Sequence, residues 1–130
     1  DYTLFFRDLA RATGPEDLRH AFYGDDAWRT SEPAFRAWFD HWRAAIAQVG
    51  EPVQARRARM DRLNPRFVPR NYLAQQVIEA ATAGDLAPLH ELMDVLRRPY
   101  DEQPGRERYA EKRPDWARTK AGCSMLSCSS

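Results

Sequence analysis

Lysine is nearly missing from this chain: only Lys112 and Lys120 stand among its 20 basic residues, and the other 18 are arginine. Cysteine is absent until Cys123, and the second thiol, Cys128, is the third residue from the end. The body is therefore not a disulfide-stapled scaffold. No apolar run approaches the ~20 residues of a membrane-spanning helix, so no membrane partner is expected. Charge of one sign is lacking too: the formal net charge is +1, which gives no global field to gather nucleic acid. Strand signals are missing, with neither sustained alternation nor an Asn-Gly or Asp-Gly hairpin turn. Also absent are a glycine-rich phosphate loop, a Gly-x-Ser-x-Gly elbow and a His-Glu-x-x-His pair. His20, His41 and His90 each stand alone, so no metal ligands and no catalytic residues are assigned in this chain.

What remains is helical material. Hydrophobic residues make up 43% of 130 residues and charged residues 30%, enough for a core and too apolar for wholesale disorder. The first residue is Asp1, and the opening stretch already reads as a helix in progress, so a fragment of a longer protein is expected.

Apolar residues recur at steps of three and four. Residues 1–12 place Leu4, Phe5 and Leu9 on one side, with Arg7 and Arg11 elsewhere. Residues 15–23 bring Leu18, Ala21 and Phe22 together, and Gly24-Asp25-Asp26 reads as a turn. The strongest pattern is Phe35, Trp38, Phe39, Trp42, Ile46 and Val49, predicting a helix over 32–49 with Ser31 as N-cap and Gly50 just past its end. On its solvent face, Arg36, Asp40 and Arg43 can pair.

A shorter Arg-rich helix over 53–63 carries Val53, Met60 and Leu63 on one face and stops at Asn64-Pro65. Residues 72–83, with Asn71 as N-cap, and 86–97 should form an antiparallel αα-hairpin. Its inward residues would be Leu73, Val77, Ile78 and Ala81 on one helix, and Leu86, Leu89, Met93 and Leu96 on the other. After Pro99 the pattern collapses into Pro, Gly and charge. The expectation is an irregular arm pinned by Tyr100, Tyr109 and Trp116, then a mobile tail. The fold class is thus all-α: an irregular helical bundle over residues 1–98 and an extended arm over 99–130.

Two clusters could carry chemistry. Arg56, Arg57, Arg59, Arg62, Arg66 and Arg70 have only Asp61 among them. Arginine forks suit phosphate and carboxylate, so Arg56, Arg57, Arg66 and Arg70 are candidate anion-binding residues. A solvated face with salt bridges gives the same pattern. Adjacent acids such as Glu16-Asp17, Asp25-Asp26 and Asp101-Glu102 read as caps or solvated charge. In the tail, Cys123 and Cys128 could reach each other or a third thiol, where an accessible thiolate would exchange.

The segment Asn64-Pro65-Arg66-Phe67-Val68-Pro69-Arg70-Asn71-Tyr72-Leu73-Ala74-Gln75-Gln76 resembles the Asn-Pro-x-x-x-x-Arg-Asn-x-x-Ala-Gln signature of the SelO (YdiU) family. Leu96 to Pro104, Pro114-Asp115-Trp116-Ala117 and the terminal Cys128-Ser129-Ser130 look like its next landmarks. Pro69 departs from the pattern, where an aliphatic residue is expected. In this motif Asn64, Pro65, Arg70, Asn71 and Gln75 would be structural.

The resemblance implies a larger, protein-kinase-like fold that transfers AMP from ATP, with magnesium or manganese, to protein hydroxyls. Its metal-binding acids and catalytic base would lie upstream, leaving this fragment without a bound cofactor and packed on a kinase-like lobe. Cys128 matches a position that is selenocysteine in some animal members, which implies a redox role with Cys123 or an upstream thiol as partner. A cytoplasmic location is implied for bacterial members and a mitochondrial one for eukaryotic relatives. The alternative is a stand-alone helical module binding an acidic partner through its Arg-rich helix.

Overall fold

The computed structural model describes residues 1–123. Among the described residues there are five α-helices, three 3-10 segments and no strand. The helices are α1 (Tyr2–Leu9), α2 (Asp25–Val49), α3 (Val53–Leu63), α4 (Asn71–Thr82) and α5 (Ala87–Leu96). The 3-10 segments are Pro15–Ala21, Glu107–Tyr109 and Asp115–Arg118. Two compact units result, Asp1–Pro65 and Arg66–Ser130.

In the first unit, α1 packs on the 3-10 segment Pro15–Ala21 and on α3, and α2 packs on the same 3-10 segment. Leu9, Leu18 and Phe39 are buried at the centre, with Phe5, Phe35, Trp42 and Met60 packed around them. The periodic aromatics of α2 interlock, with Phe35 edge-on to Phe5, Phe22 and Trp28. Such offset and edge contacts add to the area term.

Helix α2 corrects the expected boundary. It starts at Asp25 rather than 32, capped by Gly24 and not by Ser31, and it carries Pro33 in its interior. Proline removes one helical hydrogen bond. Two local features favour the extra turns: Asp25 and Asp26 sit at the positive N-terminal end, and Trp28 is buried against Phe22 and Phe35. At the other end Gly50 adopts φ +67°, where a side chain would be strained, and ends the helix as predicted. Residues 15–23 form a 3-10 segment that stops at Ala21 instead of an α-helix. The Asp17 carboxylate holds its entry by accepting from the Thr13 and Gly14 backbone N–H groups and the Thr13 hydroxyl.

In the second unit, α4 and α5 form the expected hairpin, joined through Gly84 at φ +89°. Arg70, not Asn71, is the N-cap of α4, so Asn71 is the first helical residue. The buried faces differ from the predicted stripes. Ile78, Leu86, Leu89 and Met93 are exposed, while Leu92 and Val95 are buried with Leu73, Phe67 and Tyr72. An amphipathic period fixes the angular spacing of a stripe, but α5 also has apolar residues off the chosen one. The partner surface then decides which set turns inward.

The expected boundary at 98/99 falls inside this unit, because residues beyond it supply Tyr109, Ala110, Ala117 and Cys123 to the buried cluster. Of the three rings expected to pin this stretch, Tyr109 is buried, whereas Tyr100 and Trp116 are each about half exposed. Trp116 still meets Tyr72 edge-on.

Candidate functional site

The family-like motif begins where α3 ends. The last carbonyls of an α-helix have no partner within it. Here Arg7, only 5% exposed, supplies one from α1: its Nη1 donates to the Asp61 and Asn64 carbonyl oxygens at 2.7 and 2.9 Å. Asp61 also accepts a two-pronged bond from Arg11 at 2.7 and 2.8 Å. Asn64 turns its side-chain amide back to the Met60 carbonyl at 2.9 Å.

Arg7 was expected away from the core, yet among the described residues it is the one charged side chain that is buried. A signal existed: Arg7 lies three residues after Leu4, at helical spacing, and Asp61 is the lone acid among the arginines.

The rest of the motif organises the second unit. The backbone N–H groups of Arg66 and Phe67 both donate to the Pro99 carbonyl, at 2.8 and 3.1 Å. Phe67 is 1% exposed, and Arg66 lies over its ring while pairing with Glu102 at 2.6 Å. The Arg70 carbonyl accepts from Ala74 N–H at 3.0 Å. The Tyr72 hydroxyl donates to the Glu111 carbonyl at 3.0 Å. Gln75 donates to Glu79 at 3.1 Å.

The two later landmarks behave alike. Gln103 donates to the Val95 and Arg98 carbonyls at 3.0 and 2.8 Å, capping the end of α5. Ala117 is fully buried.

The candidate anion-binding arginines divide between the units. Arg66 and Arg70 belong to the second, where Arg66 is held as above. Arg56 and Arg57 project from α3 in the first. There the corner between α2 and α3 forms a hollow of about 490 Å³ lined by Trp42, Arg43, Glu51, Arg56 and Arg57 among others. The Arg56 guanidinium lies 5.7 Å from the Trp42 ring centroid. Glu51 is gripped by Arg59 at 2.8 and 3.1 Å, and that hydrogen bonding holds its carboxyl below the usual range. In the second unit a hollow of about 440 Å³ is lined by Tyr72, Pro88, Tyr109, Pro114 and Trp116 among others.

The paired acids are engaged locally. Glu16 pairs with Arg36, Asp25 with Arg19 at 2.8 Å, and Asp26 and Asp101 with Arg29 and Arg98 at 3.9 Å each. Along the solvent face of α2, Arg36 also pairs with Glu32, and Arg43 donates to the Thr13 carbonyl at 2.8 Å. Histidine 20 contacts Asp8 at 2.8 Å, and His41 and His90 are exposed. Among the described residues no three His, Cys, Asp or Glu side chains gather as a metal-holding group. No described helix is long and apolar enough to cross a membrane.

Cys123 is buried in the second unit's apolar cluster, and its N–H donates to the Lys120 carbonyl at 3.1 Å. Cys128 lies outside the described residues.

The described residues thus form an all-helical region in which the family-like segments cap helices and supply a buried cluster. The chain belongs to the SelO family: residues 1–97 match the family model described as protein adenylyltransferase SelO. It is 52% identical over 134 aligned positions to the protein nucleotidyltransferase YdiU of Aromatoleum aromaticum, and equally to that of Methylobacillus flagellatus. The like-named protein of Xanthomonas axonopodis pv. citri is 49% identical over the same span. Each alignment covers 100% of this chain and 26% of the relative, so the chain spans about a quarter of the length of the proteins it matches.

Proposed function

We propose that this chain is a supporting helical region of a protein adenylyltransferase that moves AMP from ATP, with magnesium or manganese, to Ser, Thr or Tyr hydroxyls. In this reading the reacting groups reside in the remaining three-quarters of the protein, on a kinase-like lobe. The region described here braces that lobe and carries the thiol tail.

The observation that carries the reading is the use of residues in the family-like segments as caps and core. The Asn64 carbonyl accepts from Arg7 and its side chain caps α3, Phe67 anchors a core, and Gln103 caps α5. Adenylyl transfer needs positioned charge and metal ligands around a triphosphate. The acids that sequence offers for such a role are engaged with arginines or backbone N–H groups.

The test is labelling with ATP carrying a tagged adenylyl group, with magnesium and a generic protein acceptor. The 130-residue chain alone is expected to leave the acceptor unlabelled, and the full-length protein to label it. Robust labelling by the chain alone would refute the assignment.

For the tail, the reading gives Cys128 a disulfide in the full-length protein. Cys123, as the partner, would have to leave a site where it is 4% exposed. An upstream thiol avoids that cost. Mass spectrometry of the full-length protein with and without reductant checks the pairing, and fully free thiols after mild oxidation would remove it.

A further inference from the structure

We propose that the hollow at the α2–α3 corner is a binding site for a phosphate-class oxyanion, such as a phosphomonoester or pyrophosphate. Four observations converge there.

First, the space suits a small ligand: about 490 Å³, within the usual range for such sites. Second, its wall carries more positive than negative charge, although Glu51 also interacts electrostatically with Arg56. Arg11 and Glu51 on its wall are each clamped by a partner, Asp61 and Arg59. Arg43, Arg56 and Arg57 also line it, and none of the three has an ion pair among the described residues. Third, Arg56 Nε is buried without a hydrogen-bond partner while its guanidinium is steered by the Trp42 ring. That Nε is out of reach of a ligand in the hollow, but the rest of the guanidinium lines it and is positioned by the ring, ready to donate to an oxyanion. Fourth, α3 starts at this wall with Val53 and no side-chain cap, so its positive end is open to an anion.

The number of donors selects the ligand class. Three guanidinia from two helices, with Arg43 giving one N–H to the Thr13 carbonyl, still offer more donors than one planar carboxylate can accept through two oxygens. A phosphate group presents three terminal oxygens to donors arriving from several directions, and Arg forks match it in pairs.

The experiment uses the 130-residue chain. Pyrophosphate, inorganic phosphate and acetate are each titrated by calorimetry at one fixed ionic strength, because phosphate also stabilises proteins by surface exclusion. Pyrophosphate should bind at one saturable site and acetate should not. Arg56→Gln and Arg57→Gln should each weaken pyrophosphate about 10-fold or more, as expected for losing a charged hydrogen bond. Arg62→Gln, exposed on the same helix outside the hollow, should leave affinity within about twofold, as for a distant surface charge.

Arg57 makes no described contact, so its variant tests the site even if Arg56→Gln disturbs packing on Trp42. No saturable heat with pyrophosphate overturns the proposal. So does equal weakening by Arg62→Gln, which would mean diffuse attraction, and so does acetate binding as tightly as phosphate. The adenylyl-transfer reading is judged by labelling alone, so the two can fail separately.

Discussion

Replacing Arg7 by methionine isolates the device that fastens α3 to α1. Helix α3 contains no buried residue of its own, and Met60 is its contribution to the packed cluster. Its position therefore depends on polar contacts at its C-terminal end, where Arg7 Nη1 serves the Asp61 and Asn64 carbonyls and Nε lies 3.5 Å from the Asp61 carboxylate. A hydrogen bond from a charged donor contributes about 1.5–3 kcal/mol net, and two are lost. Methionine keeps most of the apolar stem in place, which returns about 1 kcal/mol. The expected cost is about 2–5 kcal/mol.

The assay is urea unfolding followed by tryptophan fluorescence; Trp28, Trp38 and Trp42 all report from the first unit. The midpoint should fall with an unchanged slope, because the surface exposed on unfolding barely changes. Arg7→Lys should fall between the two, keeping the charge but losing the planar fork. If Arg7→Met stays within about 0.5 kcal/mol of the parent chain, as an ordinary surface change would, the capping argument is wrong.

Three further outcomes follow from the same contacts. Phe39, 1% exposed at the centre of the first unit, should cost about 3–5 kcal/mol on truncation to alanine, measured by the same unfolding curve. Tyr72→Phe removes the hydroxyl that holds the Glu111 carbonyl and should lower stability by about 1 kcal/mol, with faster amide exchange in the Glu107–Tyr109 segment as the local readout. Asp17 is held below its ordinary carboxyl value of 3.8, chiefly by the Thr13 N–H, so its contribution is complete above that value and disappears as pH falls through the lowered one. Asp17→Asn should therefore flatten part of the acid limb of the stability–pH curve below about 4, where carboxyls titrate, and an unchanged limb would count against the cap.

The hairpin and the end of α2 at Gly50 were legible because they depend on local chemistry, and so was α3 with its stop at Asn64. The start of α2 was not. A proline at position 33 looks like a first-turn residue, and only the burial of Trp28 against Phe22 and Phe35 shows why the helix runs through it. The arginine cluster was visible as composition. Which arginines are clamped, and which face the α2–α3 hollow with no ion pair among the described residues, depends on Asp61, Glu51 and Trp42 being brought to them by folding.

Sequence by itself determined the all-helical class, through apolar spacing near 3.6 residues and the absence of alternating runs, and it determined the family, through an ordered set of short motifs. Tertiary structure alone decided which of several amphipathic stripes turn inward: Leu92 and Val95 on α5 rather than Leu89 and Met93. It also decided that a charged residue, Arg7, would lie in the interior. The physical reason is that periodicity sets the angles between side chains on one helix. The identity of the inward side depends on the shape and unpaired polar groups of the surface it meets, and chain neighbours do not encode these.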